Sequence, residues 1–283
     1  MPLKDHITRP LLPEHHYHVY NRGNMENDIF FREENYRYFL MKYKQYMLNY
    51  WDTYAYALLP NHFHLAIRVK SEEEVLAAAV HDLQYLRKDA WERLLRMAAE
   101  MNDGAAAGGV AGGGDLTVFQ KLSNLRVSMG VSTGMGVTST KPPLLIQVIP
   151  LLSGELRVWL CAWAVSERFR RFMLGYSKAI NKEQQPPRYG SLLQKPFRRK
   201  LVKDEGGFLR LIAYIHRNGV HHGYVSDIAA YRHCSYPAIL SDSPTSIMRK
   251  KVLEMYGGKK GLLRFHKVIP ADGFMGEDFV IEE

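Results

Sequence analysis

YALLPNHFHLAIRV, residues 56–69, decides how the chain is read. Its first residues close a run, DTYAYALL at 52–59, with the composition of a strand, and Pro60-Asn61 breaks that run. HFHLAIRV at 62–69 then alternates as a second strand. Residues two apart on a strand point to one face, so His62 and His64 project side by side while Phe63 faces the core. Two imidazoles on one face make half of a divalent-metal site, which needs a carboxylate, an amide or a third imidazole to complete it. The pair alone does not settle the matter, because the chain has 12 histidines. His15, His16 and His18 upstream, and His221 and His222 downstream, compete for any metal role.

Upstream, HYHVYNR at 16–22 alternates like a strand and ends at Gly23. In EENYRYFLMKYKQYMLNY at 33–50, Tyr36, Phe39, Leu40, Tyr43 and Met47 recur every three or four residues, which predicts an amphipathic helix. Downstream, Ser71 followed by Glu72, Glu73 and Glu74 predicts a capped helix start, with the helix running to about Glu100. Strand, helix, strand, strand, helix is the opening of a ferredoxin-like α+β unit, an antiparallel sheet with helices on one face. The Gly/Ala-rich run at 103–114 and the Gly/Ser/Thr-rich run at 128–143 read as flexible linkers, so 102–160 is expected to be an insertion without assigned function. SERFRRFMLGYSKAINKEQQPP at 166–187 predicts a helix of about 17 residues from its Ser cap to its proline pair. GFLRLIAYIHRN at 207–218 predicts another. The expected division falls between residues 185 and 186, with one domain over 1–185 and a basic, helical extension over 186–283.

The net charge of +9 points to a polyanionic partner. Between Glu167 and Arg217 stand 13 Lys or Arg and four acids, so the excess of the whole chain is concentrated in one stretch, as phosphate binding requires. Two cysteines, Cys161 and Cys234, exclude a disulfide framework and a four-cysteine zinc site. Residues 1–15 contain Pro2, Pro10 and Pro13 and no apolar run, so no signal peptide is expected. The apolar stretch 144–165 is interrupted by Pro150, Gly154, Glu155 and Arg157, which argues against a membrane span. A cytoplasmic protein is the expectation.

Tyr176 lies on the basic helix with Phe169, Phe172, Met173 and Ile180 at apolar spacing. A tyrosine so placed is ordinarily a core residue. Gly175, Ser177, Lys178 and, five residues on, Asn181 give it a different setting. A phenol attacks phosphorus only when its proton is drawn off, and neighbouring cations favour the phenolate.

The chain resembles the REP-associated tyrosine transposases, within the single-tyrosine HUH transposases. The resemblance is carried by YHVYNRGN at 17–24, IFFREENYRYFL at 29–40, YALLPNHFHLAIRV at 56–69 and FMLGYSKAINK at 172–182. YGSLLQKPFRRKLV at 189–202, YIHRNGVHHGYV at 214–225, CSYPAIL at 234–240 and GGKKGLLRFHK at 257–267 extend it. Asn218-Gly219 stands where the family usually has Asn-Pro. The resemblance implies the HUH nuclease fold and a divalent ion, Mg²⁺ or Mn²⁺, on His62 and His64. It implies Tyr176 as nucleophile, forming a 5′-phosphotyrosine link and freeing a 3′-hydroxyl, with Asn181 as candidate third ligand. Five residues on an ideal helix separate Asn181 from Tyr176 by about 140°. Lys195, Arg198, Arg199 and Lys200 are expected to hold phosphates and Phe197 to stack on bases, with Lys178, Asn21 and Arg22 as further DNA contacts. The implied partner is single-stranded or hairpin DNA, handled by a monomer or homodimer without a small-molecule cofactor. A repeat-hairpin binder that does not cut is the alternative. A replication initiator with a helicase is disfavoured, because the chain has no GxxxxGK[ST] loop.

Overall fold

The computed structural model describes residues 9–107, 121–122 and 144–268. The chain forms β1 (His16–Arg22), α1 (Glu33–Met47), β2 (Trp51–Leu59), β3 (His62–Val69), α2 (Glu72–Asp82) and α3 (Lys88–Ala107). A short α4 (Leu145–Val148), the long α5 (Gly154–Glu183), β4 (Arg198–Val202) and α6 (Glu205–His221) follow, then α7 (Tyr236–Leu240), α8 (Arg249–Met255) and α9 (Lys259–Val268). The sheet is antiparallel throughout in the order β2-β3-β1-β4. That is the ferredoxin-like order, and the α+β expectation matches it.

Contacts divide the chain into two compact units. Ser71–Glu167 forms one, and the described parts of Met1–Lys70 and Arg168–Glu283 form the other, which holds the sheet. In the first unit the Ser71 hydroxyl accepts from the Glu74 amide at 3.3 Å, and the Glu74 carboxylate answers to the Ser71 amide at 3.1 Å, the reciprocal cap the sequence predicts. The helix it starts does not reach Glu100. It stops at Asp82, Gln84 takes φ +61°, and a new helix starts at Lys88. α5 begins twelve residues before the expected Ser166, within the apolar stretch. Of the expected insertion, 108–120 and 123–143 lie outside the described residues, and what is described is largely helical. No described helix is long and apolar enough to cross a membrane.

The sheet-bearing unit draws on both sides of residue 185. β4 pairs with β1, with Tyr20 opposite Arg198 and His16 opposite Val202, so the expected boundary at 185/186 cuts through a single sheet. Pleating sorts the side chains. On one face Phe63 meets Phe39 of α1 at 5.2 Å and Phe169 of α5 at 6.3 Å, while the Asn21 amide reaches Met173 of α5 at 3.5 Å. On the other, Ala55, Ala57, Leu59 and Ala66 pack with Phe208, Leu211, Ile212 and Ile215 of α6. Helices therefore cover both faces, the second by the return of the C-terminal extension. Asp204 caps α6 by accepting from the Gly207 amide at 2.7 Å.

The outer edge of β2 is lined by the later chain. The Leu58 amide donates to His233, the Ser235 amide to Tyr56, and the Met248 amide to Thr53, at 2.8–2.9 Å. Ser235 also begins a buried chain of polar contacts. Its hydroxyl accepts from the Tyr56 amide and lies 2.9 Å from Nε2 of His216; Nδ1 of His216 lies 2.9 Å from Nε2 of His266. Nδ1 of His266 donates to the Leu262 carbonyl at 2.9 Å, which fixes the sense of every donor before it.

Candidate active site

The Pro60-Asn61 turn that joins β2 to β3 is held from outside. The Gly23 amide donates to the Asn61 carbonyl at 2.7 Å, and the Ile29 and Phe30 amides donate to Pro60 at 2.7 and 2.9 Å. This fixes where β3 starts, and with it the face onto which His62 and His64 project. Both are buried, at 7% and 0% exposure.

Each imidazole has one nitrogen engaged and one bare. Nδ1 of His62 donates to the Asn61 side-chain oxygen at 2.6 Å, and Nδ1 of His64 lies 2.8 Å from Nε2 of His18. Nε2 of both His62 and His64 is buried without a hydrogen-bond partner. With the proton of His64 on Nδ1, both Nε2 atoms are lone pairs, and their orientation is set by the groups behind them. Burial, then His222 and Arg22, lowers the pKa of His62 to about 3. His64 is held well below the ordinary imidazole value by burial and by the histidines around it, His18 first. Neutral rings presenting unshared pairs are the protonation state a metal needs. The donor set thus fits a divalent ion. Among the described residues no group of three or more His, Cys, Asp or Glu is arranged around such an ion.

Tyr214, on α6, stands beside His64 and His18 on this face. Its ring stands edge-on to His64 at 5.5 Å and to His18 at 6.1 Å. Asn218, one turn on, is fully buried; its amide nitrogen donates to the Tyr214 carbonyl at 3.0 Å and its oxygen has no partner. Four residues put both on one helix face. A further four bring His222, whose ring lies 4.8 Å from His62. Burial pushes the Tyr214 phenol up to about 12, against the opposing influence of the Asn218 side chain.

Tyr176 lies elsewhere. It is 1% exposed, donates to the Ile29 carbonyl at 2.7 Å, and packs against Phe30, Phe39 and Tyr38. Phe39 also meets Phe63, so Tyr176 belongs to the face of the sheet turned away from His62 and His64. Burial raises its pKa strongly. Asn181 is on the same helix; its amide donates to the Gly190 carbonyl and its own carbonyl accepts from Arg188, both at 2.9 Å, tying down the loop after α5. The structure brings the two histidines together but keeps Tyr176 and Asn181 away from them.

The expected DNA contacts divide in the same way. Asn21 is buried, held by Met173 and the Gln194 carbonyl, and is a core residue. Phe197 is 5% exposed against Phe169 at 4.8 Å, so burial removes it from base stacking. Arg199 lies over Phe197 at 4.7 Å and donates to the Arg9 carbonyl at 2.6 Å. Burial lowers its pKa to about 10. Arg198 and Lys200 alternate onto the histidine face, opposite Tyr20 and His18. Arg22, opposite His62, shares that face and pairs with Glu26 at 3.3 Å. Lys195 and Lys178 are exposed, Lys178 on the Tyr176 helix.

No family model and no curated protein matches the chain. Among solved structures it is similar to one described as a REP-associated tyrosine transposase bound to a REP hairpin. The two share 11% identity over 83% of this chain and 86% of that one, at a TM-score of 0.42. A likeness this remote assigns nothing by itself.

Proposed function

We propose that the protein cleaves and rejoins single-stranded DNA beside hairpins, through a covalent phosphotyrosine link, with Tyr214 rather than Tyr176 as the nucleophile. One observation carries the reading: two buried imidazoles present bare Nε2 atoms on the same face as a half-buried tyrosine, with an unsatisfied amide oxygen one helical turn from it. His62 and His64 would hold a divalent ion, Mg²⁺ or Mn²⁺, with Asn218 in the ligand role first expected of Asn181. Such an ion supplies Lewis-acid polarisation of the scissile phosphate.

The chain's own residues do the rest. Tyr214 Oη attacks phosphorus and gives up its proton as the new P–O bond forms; the bond to the 3′-oxygen breaks, freeing a 3′-hydroxyl and leaving the 5′-phosphate on tyrosine. The link retains phosphodiester-like energy, so the reverse attack by a 3′-hydroxyl reseals a strand without a nucleoside triphosphate. Arg22, Arg198 and Lys200 hold the strand's phosphates on that face. His18 and Asn61 keep the two imidazoles turned toward the reacting phosphate.

The test is denaturing electrophoresis of the protein with labelled single-stranded hairpin DNA and Mn²⁺. The expected result is a metal-dependent covalent band, present in Tyr176→Phe and missing in Tyr214→Phe. Loss of the band in Tyr176→Phe alone would return the nucleophile to α5. Hairpin binding with no band in the wild type would make the protein a non-cutting hairpin binder.

A further inference from the structure

We propose that Tyr224 is a stacking platform for one unpaired base of the DNA strand, at the end of the sheet where His62 lies. The inference rests on the single-stranded DNA reading above and adds a base-binding site to it.

A pile of rings carries the argument. Phe30 and Tyr36 lie 4.4 Å apart with planes at 15°, and Tyr36 and His233 lie 3.7 Å apart with planes at 14°. The inner ring, Phe30, is buried against Phe39. Tyr231 stands edge-on to His233 at 5.8 Å and is fixed by its hydroxyl, which donates to the Leu58 carbonyl at 2.7 Å. Tyr224 lies against Tyr231, with centres 6.0 Å and planes 31° apart, and is 46% exposed. The pile thus runs from the core outward and ends in an exposed ring braced by a fixed one. A ring braced in this way has little freedom left to lose when a base covers it.

Its position ties this ring to the histidines. The Leu58 amide donates to the His233 carbonyl at 2.9 Å, and the next residue, Leu59, pairs with His62 across the sheet. His222, whose ring lies 4.8 Å from His62, precedes Tyr224 by two residues. Gly223, at φ +72°, turns the chain so that the Tyr224 amide donates back to the Gly219 carbonyl at 2.9 Å. A strand with a phosphate at His62 therefore has Tyr224 beside it. The local charge selects the part of the nucleotide that sits there. Burial, then Tyr224, Asp28 and Glu33, pushes the Tyr36 phenol up to about 12, and Asp28 also acts on Tyr224. Acid so close repels a phosphate and leaves the uncharged, flat base as the occupant, and every base has a face to stack.

The test is binding of hairpin DNA by the full-length protein in EDTA, with 2-aminopurine walked along the single-stranded flank. One position should show quenched fluorescence on binding. Tyr224→Ala should abolish that quench and weaken binding about tenfold, while Tyr224→Phe, which keeps the ring, should retain both. Tyr85→Ala, which removes a tyrosine of similar exposure from the other compact unit, should change neither. An abasic site at the quenched position should weaken the wild type by the same factor and Tyr224→Ala no further, a coupling that a merely structural role would not produce. Thermal melting of Tyr224→Ala should match the wild type. A quench that survives Tyr224→Ala would overturn the platform and leave hairpin binding standing. A quench lost in Tyr224→Ala, with no covalent band from the wild type in Mn²⁺, would support the platform and overturn the cleavage chemistry. No hairpin binding by the wild type would overturn both.

Discussion

The two faces of one sheet hold two tyrosines of the same general description. Each lies on a helix within the basic stretch, and each has an asparagine further along the same helix. Tyr176 is locked among aromatic rings with its hydroxyl spent on the Ile29 carbonyl, while Tyr214 is half-buried and stands beside His64, whose Nε2 has no hydrogen-bond partner. The difference lies in which side of β3 each helix covers. Pleating has already separated Phe63 from His62 and His64, so a helix on the Phe63 side packs away from the imidazoles and a helix on the other side packs beside them.

The contrast can be broken first at the nucleophile. Tyr214→Phe should lower formation of the covalent DNA band by about three orders of magnitude or more, with Tyr176→Phe near wild type, measured as initial rates on gels. The opposite face should respond in stability instead. Phe39 is fully buried and touches Phe63, Phe172 and Tyr176, so Phe39→Ala should cost about 3–5 kcal/mol in urea unfolding while the histidine pair stays intact.

Acid should separate the faces as well. His266, behind α6, has its pKa lowered to about 4 by burial, with its bond to Leu262 opposing. The unfolded chain takes up a proton near pH 6.5 that the folded one refuses until about pH 4. Stability from this group is therefore complete above about 6.5 and falls as pH drops toward 4, by roughly 3 kcal/mol at most. His266→Gln should flatten that part of the urea-midpoint profile. The smallest effect belongs to the cations. Lys200→Ala should lessen the salt dependence of single-strand binding by about 0.7 in log–log slope, and Lys178→Ala, on the Tyr176 helix, should leave it unchanged.

Much of this was legible in the sequence. Alternation at 16–22, 52–59 and 62–69 located three strands, the Ser71–Glu74 box located a helix start, and His-x-His located the imidazoles on one face. Which tyrosine lies on the histidine face was not legible from helical periodicity, because an apolar stripe says that a helix packs and not on which side of a sheet. One signal was present. Tyr214 and Asn218 are four residues apart and share a helix face, whereas Tyr176 and Asn181 are five apart and do not. The basic run at 198–200 likewise needed its strand register: once β4 pairs with β1, alternation sends Arg199 one way and Arg198 and Lys200 the other. Gly219, in place of the expected proline, has its own reason: a Cβ there would come within 2.5 Å of the Tyr231 ring, whose hydroxyl donates to Leu58.

The covering of β2 by residues 233–248 has a consequence for solubility. An edge strand with unpaired amides and carbonyls is a template for another chain, and β2 is nine residues long and largely apolar. The C-terminal segment acts as the strand's resident guard, occupying bonds that a second molecule would otherwise make. At the opposite edge, β4 carries Arg198, Arg199 and Lys200, and like charges discourage self-pairing there. Removal of the chain beyond residue 230 would therefore be felt first as aggregation through β2.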